Sequence, residues 1–153
     1  MAEKLQFELV SPEKLLLSEP VAMVVVPGGE GNFGVLPGHS LLIATVRPGV
    51  IDVYADEQTE ISERIFVSGG FAEVTPERCT VLADEALPLS ALDRIDIDQQ
   101  HKTILAQRAS LGDQLQRLQG DERERAISEI ALLERRLAIA EAKLAALQAG
   151  TAH

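Results

Sequence analysis

Cysteine, aromatic residues and long apolar runs are all scarce in this 153-residue chain. The single cysteine, Cys79, can form no internal disulfide, which fits a reducing compartment. Aromatics make up 3% of the residues and tryptophan is absent, so a stacking platform for single-stranded nucleic acid is not expected. Lys and Arg number 14 against 24 Asp and Glu, and a net charge of -10 argues against broad contact with nucleic-acid phosphates. No apolar run approaches the roughly 20 residues that span a bilayer, and residues 1–6 lack a basic segment leading into an apolar one. The expectation is a soluble protein that binds no nucleic acid and meets a membrane only through a complex. At this length the chain holds one cored domain, or a small domain with an appendage.

Glycine, by contrast, is concentrated. Pro27 to Ser40 holds five glycines and two prolines between apolar runs, a composition that predicts a shaped loop on a rigid scaffold and hence a binding element. Around it the chain reads as strands. Leu5, Phe7 and Leu9 alternate with polar neighbours. Leu15–Leu17, Val21–Val26, Leu41–Val46, Val50–Ala55, Ile61 to Val67, Phe71–Val74 and Cys79–Ala83 are short apolar stretches separated by turn residues. Nine or ten such strands with no helical period between them predict an antiparallel sandwich or barrel ending near Asp84-Glu85.

From Ser90 the composition shifts to Ala, Leu, Gln and charged residues, which favour helix. Ser90 with Asp93 predicts a capped start, Gly120 a helix stop, and Asp121 with Glu124 the start of a second helix. The second helix carries a seam at Ala126, Ile130, Leu133, Leu137, Ala140, Leu144 and Leu147, in steps of four and three. Ile97, Ile104, Leu111, Leu115 and Leu118 continue the stepping on the first helix, interrupted by His101 and Arg108. Two helices joined by a tight turn predict a two-helix antiparallel coiled coil. The fold class expected is therefore a β sandwich plus an α-helical hairpin, with residues 1–87 as the sandwich and 88–153 as the hairpin. The excess negative charge lies almost wholly in the sandwich part, and the hairpin interleaves both signs, as on an ordinary solvated helix face.

The chain offers little for catalysis. A phosphate loop needs Gly-Lys-Ser/Thr entering a helix, whereas this glycine-rich stretch has no lysine, carries Glu30 and leads to a strand. His39 has no Ser, Asp or Cys partner at a recognisable spacing, and histidines 39, 101 and 153 with Cys79 give no metal-ligand pattern. Gly69-Gly70 is read as a bulge or tight turn before it is read as a ligand site. An adaptor that holds other proteins is the physical reading, without catalytic residues, metal or cofactor.

Four motifs in register sharpen that reading. Gly34-Val35-Leu36-Pro37-Gly38-His39-Ser40-Leu41-Leu42, Arg47-Pro48-Gly49, Val67-Ser68-Gly69-Gly70-Phe71-Ala72-Glu73-Val74 and Val81-Leu82-Ala83-Asp84 together resemble the epsilon subunit of bacterial F-type ATP synthases. The resemblance implies a ten-stranded sandwich that docks on the gamma subunit and rests on the ring of c subunits. It implies a rotor subunit of the central stalk that couples proton flow to ATP synthesis, at the cytoplasmic face of the bacterial inner membrane. By the same resemblance Glu30, Gly31, Asn32, Phe33 and His39 form the loop that contacts the c ring.

In many such proteins the hairpin extends along gamma, reaching the alpha and beta subunits and inhibiting ATP hydrolysis. In some it binds ATP through Ile/Leu-Asp-x-x-Arg-Ala. Here the stretch is Leu92-Asp93-Arg94-Ile95-Asp96-Ile97, with Asp96 where the arginine belongs. ATP binding is therefore not expected, and Asp93 and Arg94 are what remains of that motif. The competing expectations are a free-standing chaperone or polymerase accessory factor acting through the hairpin tip, where Asp113, Asp121 and Glu122 cluster, and a sandwich-fold enzyme or small-ligand binder.

Overall fold

Alternation of apolar and polar residues places ten strands within the first 88 residues. The computed structural model describes residues 3–151, and the chain divides into two compact units between Ala91 and Leu92. The first contains β1 (Leu5–Val10), β2 (Leu15–Val21), β3 (Met23–Gly28), β4 (Gly31–Val35), β5 (Leu42–Val46), β6 (Gly49–Tyr54), β7 (Glu63–Val67), β8 (Gly70–Val74), β9 (Arg78–Ala83) and β10 (Ala86–Pro88). They form one sheet in the order β10-β7-β6-β3-β5-β8-β9-β1-β2, with β4 paired to β3 off this path.

The sheet closes over itself. Leu5, Phe7 and Leu9 of β1 share one core with Ile51 and Val53 of β6 and Ile65 and Val67 of β7, strands that lie far apart in the pairing order. At the meeting of the two sheet ends, Leu9, Leu16 and Leu17 face Ile65, Ala86, Leu87 and Pro88 around a groove of ≈ 220 Å³. Such a half-closed, sandwich-like sheet buries one face and leaves the other to solvent or to a partner.

Three local features differ from expectation. The glycine-rich stretch is half strand: β3 runs through Pro27, turns at Gly28 to Gly31, and returns as β4 with Val26 opposite Phe33 and Val24 opposite Val35. Glycine is unfavourable in strands, and Gly31 and Gly34 hide β4 from a propensity reading. Second, β1 and β9 pair in parallel, Gln6 opposite Arg78 through Val10 opposite Leu82, so the sheet is mixed where an all-antiparallel one was expected. Third, the break after β2 comes at Ala22, with Pro20 inside β2. Proline is tolerated there because β2 pairs only with β1, at the sheet edge.

The second unit holds α1 (Arg94–Leu115) and α2 (Gly120–Thr151). Asp93, not Ser90, caps α1: its backbone is extended and its Oδ1 accepts from the Ile95 N–H at 3.1 Å. Ser90 lies in a 3-10 turn, Leu89–Ala91, so its backbone is not in the extended form a cap requires. α1 also stops at Leu115, short of Gly120, which instead begins α2. Its end tightens through Arg117 N–H to Gln114 O and Leu118 N–H to Leu115 O, and Arg123 Nη1 donates to the Leu115 carbonyl at 2.8 Å. Those bonds satisfy carbonyls that a helix end leaves open.

Candidate functional site

The β3–β4 turn is a tip of nearly bare backbone held from below. A Cβ on Gly28 would stand 2.7 Å from the Gly31 carbonyl oxygen and 2.9 Å from the Phe33 ring, so only glycine lets β4 fold this close. The Gly29 N–H donates to the Thr45 carbonyl at 3.0 Å, and the Arg47 N–H to the Pro27 carbonyl at 2.9 Å. The Arg47 guanidinium donates from Nη1 to the Gly28 carbonyl and from Nη2 to Asn32 Oδ1. Glu30 is exposed at the apex. Gly28 to Phe33 and Leu42 to Thr45 line a groove of ≈ 530 Å³.

Of the five residues expected to form one contact loop, Glu30, Gly31, Asn32 and Phe33 share this groove and His39 does not. His39 lies in the connection from β4 to β5, where the Gly38 N–H donates to the Pro76 carbonyl at 2.7 Å, at the turn between β8 and β9. That turn is near Leu42, the start of β5, whereas the tip is tied to Thr45 and Val46 at its end. The His39 Nδ1 is 2.7 Å from the Ser40 carbonyl, which accepts from the ring N–H.

A larger feature is absent from any linear motif. Thr45 pairs with Phe71, Phe71 with Leu82, Leu82 with Val10, and Val10 with Leu15, giving one row across β5, β8, β9, β1 and β2. On the outer face of that row Phe71 is 57% exposed and Leu82 54%, and beside it Ile43 is 77% and Leu41 76% exposed. Isolated exposed apolar residues are ordinary, whereas a row of cross-strand neighbours is a candidate interaction surface. Thr45, Phe71, Leu82, Val10 and Leu15 each lie on a different strand, so only the pairing register brings them together.

In the hairpin unit Ala126, Leu133 and Ala140 are buried and Ile130, Leu137, Leu144 and Leu147 half-buried, with Ala146 also buried beside them. The two interruptions on α1 are polar contacts to α2, an ion pair from Arg108 and a hydrogen bond from His101. Arg108 Nη2 meets Glu134 Oε1 at 2.7 Å and His101 Nε2 meets Glu141 Oε1 at 3.4 Å. One heptad back on α1 thus meets one heptad forward on α2, the register of antiparallel helices. Asp93 is occupied as the cap of α1 and Arg94 is exposed at its first turn.

Reactive groups are few. Burial pushes the Cys79 thiol up to about 12, so it stays protonated and unreactive at neutral pH. Burial also raises the Asp52 carboxyl, against the opposing pull of Arg64, and raises Glu19, with Glu63 adding to the effect. Among the described residues no three of His, Cys, Asp or Glu are grouped to hold a metal ion. His153 lies outside the described residues. Among those residues, too, no helix is long and apolar enough to cross a membrane.

Residues 4–89 match the family model described as the ATP synthase delta/epsilon chain, beta-sandwich domain. The ATP synthase epsilon chain of Rhodospirillum centenum is 65% identical over 113 residues, spanning 74% of this chain and 77% of that one. The epsilon chain of Rhodospirillum rubrum is 63% identical over 92 residues, 60% of this chain and 67% of that one. Among solved structures, a chain of the Euglena gracilis mitochondrial ATP synthase, in its OSCP/F1/c-ring assembly, has a TM-score of 0.73 at 25% identity. That match covers 94% of this chain and 81% of the other.

Proposed function

Because the chain belongs to the ATP synthase epsilon-chain family, we propose that it serves the central stalk of an F-type ATP synthase as a non-catalytic rotor subunit, joining gamma to the c ring. The observation that carries this reading is the apolar row of exposed Phe71, Leu82 and Leu15 with half-buried Val10 between them, and exposed Ile43 and Leu41 beside it. A rotor subunit transmits torque through a broad, rigid face, and a solvent-facing sheet held by ten strands supplies one. Gamma is the partner assigned to that face.

The c ring is assigned to the tip of Glu30, Gly31, Asn32 and Phe33, with His39 at the far end of β5 as a separate contact. An exposed carboxylate on glycine-rich backbone suits the polar loops of a membrane ring, and in this arrangement the chain reaches the cytoplasmic face of the membrane through its partners. Support for a non-catalytic role comes from the groups that are present. The Cys79 thiol is buried, and the His39 ring is engaged by a backbone carbonyl. Coupling of proton flow to ATP synthesis is then mechanical, and the hairpin is the regulatory part, able to reach gamma, alpha and beta when extended.

Co-purification tests the assignment. Phe71→Ser with Leu82→Ser should reduce capture of gamma by roughly tenfold or more, since central apolar anchors dominate interfaces. Full capture by the double variant, or by the hairpin unit without the sheet, overturns it.

A further inference from the structure

We infer that Arg47 is the positioning residue of the β3–β4 tip, its guanidinium tying the Gly28 carbonyl to the Asn32 side chain so that Glu30 and Gly31 are held in one presentation. The inference rests on the reading of that tip as a partner contact.

Arg47 lies in the corner between β5 and β6, which succeed one another along the same edge of β3: Val46 pairs with Gly28, and Asp52 with Val25. Its backbone is fixed first, by the N–H bond to the Pro27 carbonyl. The side chain then reaches both strands of the hairpin, for Gly28 precedes the turn and Asn32 follows it. One planar group therefore closes the mouth of the turn. Only a guanidinium offers two donors in a fixed fork, whereas an ammonium on a flexible stem would satisfy one acceptor and leave the other.

The composition of the tip makes such a clamp necessary. Gly28 and Gly29 give the turn its close approach and Gly31 its φ of +149°, but glycine also has the widest backbone freedom of any residue. Beyond the β3–β4 ladder and the side chain of Arg47, the base of the tip is tied by two backbone bonds, Gly29 N–H to the Thr45 carbonyl and Arg47 N–H to the Pro27 carbonyl. With Arg47 in place the ordering cost is met within the free subunit, and the tip meets its partner already shaped, which is preorganisation. Arg47 is exposed and outside the core, so the sandwich does not depend on it.

Amide hydrogen exchange on the full chain, and proton pumping per ATP hydrolysed in the reconstituted ATP synthase, test this together. Arg47→Ala should speed exchange at Gly29 and Gly31 by roughly tenfold or more, because a charge-assisted bond at the base of the turn is lost. Exchange in the β1 and β9 core should stay as it was. Arg47→Lys should restore only part of the protection, and pumping should fall in the order of the loosened tips. Asn32→Ala removes the other end of the same bond and tests the clamp even where Arg47→Ala lowers the yield of folded protein. Unchanged exchange in both variants overturns the inference. Normal pumping by a loosened Arg47→Ala tip, with Glu30→Gln lowering it, overturns the positioning role and leaves the contact reading standing. Normal pumping in Glu30→Gln and Arg47→Ala alike overturns both.

Discussion

A Cβ on Gly70 would overlap the carbonyl oxygen of Leu82 and stand 3.1 Å from the Ala83 Cα, on a backbone whose φ is +143°. Both obstacles are main chain of β9, which cannot swing aside as a side chain can. Gly70→Ala should therefore destabilise the sheet by roughly 3 kcal/mol, at the upper end of single substitutions, read from the urea midpoint. Cys79, at the other end of the same strand pair, has a pH-dependent consequence. Its thiol has an ordinary value of 9.0 and is pushed up to about 12 in the fold by burial. Unfolding releases a proton between those values, so its contribution to stability is whole below about pH 9 and declines as pH rises toward about 12. Between about pH 9 and pH 11 the native chain should lose up to ~1.4 kcal/mol per pH unit from this source. Cys79→Val should flatten that part of the profile, and equal slopes in both proteins would show that the thiol does not carry it.

At the scale of elements, the hairpin sets an apolar seam against an ion pair and a histidine–carboxylate hydrogen bond. Arg108 and Glu134 are about half exposed, with side-chain exposures of 45% and 51%, so solvent screens their attraction. A double-mutant cycle on the pair, followed by helix melting of the full chain, should give a coupling below ~1 kcal/mol. Leu133→Ala removes a buried seam residue and should cost about 2–4 kcal/mol by the same measurement, so packing outweighs charge. The seam was legible in the sequence because its stepping is confined to one helix, and β1 because its alternation has period two. β4 was not, since two glycines in five residues erase the signal, although Phe33 and Val35 keep the alternation. The row from Thr45 to Leu15 was illegible for a different reason: it exists only once the registers of five strands are set. The Arg47 clamp joins residues from two separate turns, and the cap of α1 was misplaced by three residues because Ser90 and Asp93 both have capping chemistry.

For the whole molecule, the division at Ala91/Leu92 separates a unit with its own core from one that packs helix on helix. Every residue of the main hydrophobic cluster belongs to the sheet unit. A chain ending at Ala91 should still unfold cooperatively and should still capture gamma. In the assembled complex the same truncation should raise ATP hydrolysis, because the element assigned to inhibition is gone. Unchanged hydrolysis would remove the regulatory role and leave the structural one. The family match over residues 4–89 covers the sheet and not the hairpin.

The parallel pairing of β1 with β9 also sets an order of events on the ribosome. β1 and β2 emerge first and can form their hairpin at once, yet the other edge of β1 has no partner until Arg78 to Ala83 has been made. Contacts so distant in sequence form late and slowly. Until then Leu5, Phe7 and Leu9 lack much of the core that covers them, so the nascent sandwich carries exposed apolar surface, the kind that aggregates, until β9 has been made.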